Sequence, residues 1–270
     1  MAKRQVTRNA RDMAEDHNPG AIPVDTTQIA QGALAGKTAL ITGGSRGIGF
    51  AAAMQMGRLG ARIIIVAHDS SRIQEALNQF QAESISATGY AVDLGSPQAI
   101  QALAEKLNGE EIDILVNSAG VMSEKTAKTL RTEDDEWRRV IGINLDAPFF
   151  MIKHFVPQMV ERRSGRIINV TACLGRFSGP GTSGGLAPYR ISKAGLNALT
   201  KNLAAEVGNG KRGVLVDAVC PGHCKTDMGG QDAPRTAEQG AETITWLAAR
   251  ELNDQTLTGL LWEDRAIVPW

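Results

Sequence analysis

The 270-residue sequence predicts an α/β protein: one doubly wound parallel sheet with helices on both faces. Three observations carry that expectation. From Lys37 onward, short runs of apolar and β-branched residues alternate with stretches of helical length. Parallel strands joined by such helices must be covered on both sides, and right-handed crossovers then wind the sheet outward from its middle. The first apolar run leads directly into a glycine-rich turn, Thr42-Gly-Gly-Ser-Arg-Gly-Ile-Gly49, that opens a helix. No internal repeat or second-domain boundary interrupts the pattern, and the length suits a single large core.

Taken in order, Thr38–Thr42 reads as the first strand, and Ile48–Leu59, rich in Ala and Met, as the first helix. Ile63–Ala67 is a buried strand and Ser71–Ala82 a helix, followed by a strand over Thr88–Val92. Ser96 and Pro97 open the next helix, with serine at the cap and proline in the first turn. Ile112–Asn117 is the fourth strand, and one long helical region covers Glu133–Arg162. Arg166–Val170 is the fifth strand, Ala187–Val207 a helix and Val214–Val219 the sixth strand.

The first 35 residues stand apart. Lys3, Arg4, Arg8 and Arg11 are followed by Asp12, Glu15 and Asp16 with little apolar periodicity, so residues 1–35 are expected to form a flexible extension and 36–270 the folded domain. The acids argue against an organelle-targeting peptide, which is acid-poor. Lys plus Arg and Asp plus Glu both number 29, which gives no electrostatic case for nucleic acid. No apolar run approaches the roughly 20 residues that span a bilayer, so no membrane association is expected. Cys173, Cys220 and Cys224 are too scattered for a metal cluster; no metal is expected. Free thiols without a signal peptide place the protein in the cytoplasm.

Tyr189 and Lys193, in YRISK, lie four residues apart and share one helix face. The ammonium can lower the phenol's pKa from its reference near 10, and such a phenol can hand a proton to a carbonyl oxygen. The glycine turn offers the matching dinucleotide site: glycine lets the backbone bend and lets pyrophosphate approach, and the helix N-terminus faces it with free N–H groups.

The spacing is TGxxxGxG, and with it the chain resembles the short-chain dehydrogenase/reductase family from about Leu34 to the C-terminus. Further marks follow in order: Asp93 in AVDL, Asn117-Ser-Ala-Gly120 for NNAG, Asn144 in IGINLDAPFF, YxxxK at Tyr189 and Lys193, and Pro221-Gly222 with Thr226 for PG…T. The resemblance implies a Rossmann-type sheet of order 3-2-1-4-5-6-7. It also implies a dinucleotide held by Gly43, Ser45, Arg46, Gly47, Ile48 and Gly49, with His68, Asp93 and Leu94 toward the adenosine. Asn117, Ala119, Gly120, Tyr189, Lys193, Pro221, Gly222 and Thr226 would line the rest. Tyr189 would donate the proton, Lys193 would tune it and bond the nicotinamide ribose, and Asn144 would hold a water leading from Lys193 to solvent. The stretches YRISKAGLNALT and WEDRAIVPW most resemble carbonyl-reductase-like members.

NADP is favoured over NAD because small Ala67 ends the second strand, where an acid would repel a 2′-phosphate, and Arg46 can reach that phosphate, with Ser70 and Arg72 nearby. His68, where NADP-dependent relatives often carry arginine, and Asp69 weigh the other way.

One position departs from the family. Relatives show N-V-S-S-x-x-G after the fifth strand; here Asn169-Val-Thr-Ala-Cys-Leu-Gly175 puts Ala172 where the substrate-bonding serine belongs. Losing one oxyanion donor costs on the order of 100- to 1,000-fold in rate. Thr171, Ser178, Ser183 or a water could compensate, although the glycine-rich loop bearing the two serines reads better as a spacer lining the pocket. Two accounts stay open: a carbonyl reductase of reduced or altered activity, or a substrate such as an imine that develops no oxyanion. The expected activity is reduction of a medium-sized, largely apolar ketone or aldehyde. Its wall would be built from 172–186, 223–236 and the region of Trp246 and Trp262, with His223 a polar exception. The alternative is a nucleotide-binding protein without useful catalysis. Homo-oligomerisation through the helices Trp137–Arg162 and Ala187–Val207 would follow the family's habit.

Overall fold

The computed structural model describes residues 28–124, 127–253 and 256–270. Its eight strands form one sheet: β1 Thr38–Thr42, β2 Arg62–Ala67, β3 Ala87–Ala91, β4 Ile114–Asn117, β5 Gly165–Val170, β6 Val214–Val219, β7 Leu261–Glu263 and β8 Ala266–Val268. The order is β3-β2-β1-β4-β5-β6-β7-β8. The first seven are parallel neighbours, as expected, while β8 runs back against β7. The hairpin that adds β8 turns on Asp264 and Arg265, both at positive φ (51° and 60°), as a two-residue loop requires. Neither residue is the glycine or asparagine that would have announced it.

Helices α1 Gly47–Arg58, α2 Ser70–Ala82, α3 Pro97–Lys106, α5 Ala147–Arg162, α6 Ala187–Glu206 and α7 Ala237–Ala249 cover the sheet. Side chains alternate across a strand, so the isoleucine run of β2 feeds two cores. Ile63 and Ile65 join Ala52, Met56, Phe80, Ile244 and Leu247 on one side. Ile64 joins Leu40, Ile100, Met151, Phe155 and Leu203 on the other.

The region read as one helix from Glu133 to Arg162 is divided. Helix α4 (Asp134–Ile141) passes into a π-helical turn over Gly142–Asp146 before α5 begins. Such a turn marks a place where the ladder is given up to aim a side chain, and the side chain here is Asn144. Within the stretch read as a flexible extension, Leu34 is already buried and its N–H donates to Leu59 O at 3.0 Å. Residues 1–27 of that extension lie outside the described residues. Among the described residues, no helix is long and apolar enough to cross a membrane.

Candidate active site

The sheet order reverses between β1 and β4, and in open sheets of this kind ligands bind beyond the carboxyl ends of the strands at such a switch point. Thr42, the last residue of β1, holds its two walls together: its Oγ accepts the N–H groups of Ser118 and Ala119, both at 3.1 Å. Gly43 sits at φ +67°, and a Cβ there would lie 2.9 Å from the Ala119 Cα. A Cβ on Gly49 would run into the carbonyl oxygen of Gly43. The turn is therefore closed to side chains, as a backbone cradle for pyrophosphate must be. Across from it lies Thr226, whose methyl carbon would be 3.2 Å from a Cβ on Gly47.

Three segments meet where the sequence leads one to expect the adenosine ribose. Asp69, the acid that could have repelled a phosphate, instead caps α2, accepting N–H groups from Ser71 at 2.9 Å and Arg72 at 3.1 Å. Those bonds, the one from Arg72 foremost, hold its carboxyl below the usual carboxylate range. His68 is exposed at the end of β2. Arg46 and Arg72 (the latter at 3.2 Å) both reach the carboxylate of Asp227, so two guanidiniums converge where one anionic group can be held. Burial, and then Arg72, lowers the pKa of Arg46. Asp93 is exposed and turns its carboxylate to the N–H of Gly95 at 2.9 Å, while Leu94 is buried beside it. The Asn117 amide is committed beneath the switch point: it donates to Asn169 at 2.8 Å, Asn169 donates to Thr200 at 2.9 Å, and Thr200 donates to Leu196 O at 2.8 Å. This buried chain ties β4 and β5 to α6.

Helix α6 carries the phenol and the amine, both buried. Leu186, just before it, has a left-handed φ of +51°, a strained conformation for a branched residue that surrounding contacts must hold. Ala187 N–H donates to Ala127 O at 3.0 Å and Tyr189 N–H to Ser123 Oγ at 2.8 Å. Ser192 donates to Tyr189 O at 2.7 Å. The Asn144 amide donates to Ser192 Oγ at 3.0 Å and to Val121 O at 2.9 Å, and accepts Val121 N–H at 2.8 Å. Lys193 Nζ donates to Val170 O at 2.8 Å and stands 5.9 Å from the centre of the Tyr189 ring. Gly120 passes over both partners: a Cβ there would be 3.3 Å from Asn144 Oδ1 and 3.5 Å from Lys193 Nζ.

The protein alone does not lower the phenol's pKa, contrary to the expectation from sequence. Burial of Tyr189, with Cys220 and Cys173 nearby, pushes it up; desolvation of the phenolate outweighs an amine held on a carbonyl. Lys193, buried as well, is pulled down to about 8.

Ala172 extends from β5 and offers only its carbonyl, which accepts the N–H of Gly175 at 2.9 Å. Two of the three hydroxyls weighed as substitutes are engaged elsewhere. Thr171 donates to Val219 O at 3.3 Å and Ser178 to Trp270 O at 3.4 Å; Ser183 is exposed. Trp246 and Trp262 are not pocket wall. Both are buried, packed edge to face at 5.0 Å, with the Arg250 guanidinium 5.1 Å from each ring, and Trp262 Nε1 donates to buried Asp217 at 3.1 Å. Their bulk completes the core beneath α7. His223 staples its own loop through Nε2 and Gly229 O at 2.7 Å.

Reading the sequence overlooked Thr42, Ser123 and Ser192, whose hydroxyls lock the two walls and the first turn of α6. Only Ser192 carried a signal, lying three residues beyond Tyr189 where a helical hydroxyl can bond back to the i−3 carbonyl.

A family model described as short chain dehydrogenase matches residues 37–237. The 3-oxoacyl-(acyl-carrier-protein) reductase FabG of Pseudomonas aeruginosa is 36% identical over 198 residues, 72% of this chain and 76% of the relative. A 2-dehydro-3-deoxy-D-gluconate 5-dehydrogenase of Formosa agariphila is 35% identical over 199 residues, 72% of this chain and 71% of the relative. Among solved structures, a metagenomic short-chain oxidoreductase in complex with NADP aligns with a TM-score of 0.72 and 31% identity. That alignment covers 86% of this chain and 98% of the other.

Proposed function

The chain belongs to the short-chain dehydrogenase/reductase family, and from that premise we propose that it is an NADPH-dependent reductase of a ketone or aldehyde, with Tyr189 as proton donor. One observation carries the reading: Tyr189 and Lys193 are both buried on α6, and the segment Ala119-Gly120 links them to the glycine turn, with a Cβ on Gly43 2.9 Å from Ala119 Cα and one on Gly120 3.5 Å from Lys193 Nζ. A protein that only bound a nucleotide would have no need to bury a phenol and an amine there.

The residues present fit NADP. The glycine turn takes the pyrophosphate, and Arg46 and Arg72, which already share one carboxylate, suit the 2′-phosphate. The NADP complex of a related structure supports the same choice. When bound, this cofactor supplies hydride to the carbonyl carbon. Tyr189 then donates its proton to the oxygen as negative charge grows there. The raised pKa keeps the phenol protonated until the substrate oxygen gains charge. The Lys193 charge, 5.9 Å from the ring centre, favours the phenolate left behind. Asn144 acts through Ser192 and Val121, holding the turn that carries Tyr189.

Relatives are named for a 3-oxoacyl group and for a keto sugar acid, so the ketone is the part of their chemistry carried over. A medium-sized, largely apolar substrate is supported by exposed Phe177 and Met228 on the flanking loops. Three free cysteines suit a reducing compartment, and we assign the protein to the cytoplasm. Ala172 favours a second reading, reduction of an imine, where no oxyanion develops. Turnover of NADPH with matched panels of activated ketones and cyclic imines tests both. Turnover on either panel, abolished by Tyr189→Phe, supports a reductase and says which kind. Cofactor binding without turnover on any member would overturn it.

A further inference from the structure

We propose that Cys173 and Cys220 form a dithiol beside the catalytic tyrosine that reacts with hydroperoxides and closes to a disulfide. Strands β5 and β6 pair in register up to Val170 and Val219, so the segments that follow leave the sheet side by side. Cys173 N–H donates to Cys220 Sγ at 3.0 Å, which brings the Cys220 sulfur against the backbone that carries the Cys173 thiol. A backbone nitrogen lies three bonds from its own sulfur, so rotation about one Cα–Cβ bond sweeps the Cys173 sulfur toward its partner.

The surroundings divide the labour. Cys173 is half-buried and open to a small oxidant, while Cys220 is buried. Cys220 Sγ donates to Glu263 Oε1 at 3.6 Å, and Glu263 pairs with Arg176 at 3.8 Å. Cys173 is drawn down to about 6, its neighbour Cys220 being the foremost cause, while Cys220 is pushed up by Cys173 and by burial. Thiolate character and access therefore coincide on one sulfur, as a reactive cysteine needs. Cys224, also buried, donates to Pro221 O at 3.3 Å. Tyr189 lies within the field of both sulfurs of the pair, each of which raises its pKa.

In the first step the Cys173 thiolate attacks the peroxide; an S–O bond forms, the O–O bond breaks and an alkoxide leaves, taking a proton from solvent. In the second, Cys220 passes its proton to Glu263 and attacks the Cys173 sulfur. The S–S bond forms, the S–O bond breaks, and hydroxide leaves as water with that proton. Two electrons pass from the thiols to the hydroperoxide, giving disulfide, alcohol and water. The chemistry rests on the two sulfurs alone and does not depend on which carbonyl the enzyme reduces.

The full chain treated with stoichiometric tert-butyl hydroperoxide tests this by thiol titration and peptide mass mapping. The expected result is loss of two of the three thiols, a mass decrease of about 2 Da for the two hydrogens removed, a Cys173–Cys220 cross-linked peptide and full recovery with dithiothreitol. Cys224→Ser should still form the cross-link. Cys220→Ser should accumulate a Cys173 sulfenic acid that dimedone traps, and Cys173→Ser should lose no thiol at the same dose. Unchanged thiols, a cross-link that includes Cys224, or oxidation of Cys173 to sulfinic acid with Cys220 still free would each overturn the proposal.

Discussion

Lys193 is the residue that ties chemistry to stability. Its folded pKa of about 8 lies below the ordinary 10.5 because the amine is fully buried. Between those values the unfolded chain holds a proton that the folded chain does not, so stability rises with pH across that window. The cost of burying the charge is present in full below about pH 8 and amounts to roughly 3 kcal/mol. Lys193→Met is therefore expected to resist denaturant better than the parent at pH 7, with the difference shrinking toward pH 10; equal midpoints at pH 7 would contradict this. The same titration should shape catalysis, with the reduction rate falling as pH rises through about 8 and Lys193 loses its charge. At Ala172 the expected change is upward. Ala172→Ser restores a donor and should raise ketone reduction at least tenfold, measured as kcat/KM, with no gain on imines. The Tyr/Lys spacing and the missing serine were both legible in the chain. The direction of the phenol's pKa was not, because spacing places the amine but says nothing of the solvent removed.

At the scale of elements, the π-helical turn shows what periodicity hides. Glu133–Arg162 reads as one helix because apolar residues recur through it, and the single residue that breaks the ladder is set by contacts outside the helix. The Asn144 amide makes three hydrogen bonds to Val121 and Ser192, and these repay the interrupted ladder. Asn144→Ala would strand the buried partners and should cost about 2 kcal/mol in urea unfolding, together with a lower kcat from a loosened α6. A loss in KM alone would assign Asn144 to binding instead. The strands were easier to read. Their boundaries shifted by no more than two residues, the largest change being β4, expected from Ile112 and observed from Ile114. Helix α7 and the β7–β8 hairpin were not placed from sequence, since β7 and β8 are three residues each, too short for an alternating pattern to show.

Across the whole molecule, the parallel sheet covered on both faces followed from alternation, and its strand order from the family resemblance. What spans the molecule was less visible: Trp246 and Trp262 read as a binding wall because aromatic residues suit pockets, yet Asp217 and Arg250 draw them into the core. The two helical stretches named for self-association, the first divided into α4 and α5, do carry exposed apolar side chains: Trp137 on α4, Phe149 on α5 and Ile191 on α6. We expect sedimentation to show an oligomer that Phe149→Glu weakens; an unchanged mass for that variant would place the contact elsewhere. Finally, Asp227 belongs to the loop after β6, yet it answers to arginines of the glycine turn and of α2. On the proposed NADP reading, the 2′-phosphate competes with that carboxylate for Arg46 and Arg72, so binding of the coenzyme would release the loop after β6 from both arginines. The pair is exposed and its strength modest, about 1 kcal/mol or less. Asp227→Asn should thus tighten NADPH binding severalfold at low salt and leave NADH indifferent, because only the phosphorylated coenzyme contends for those guanidiniums.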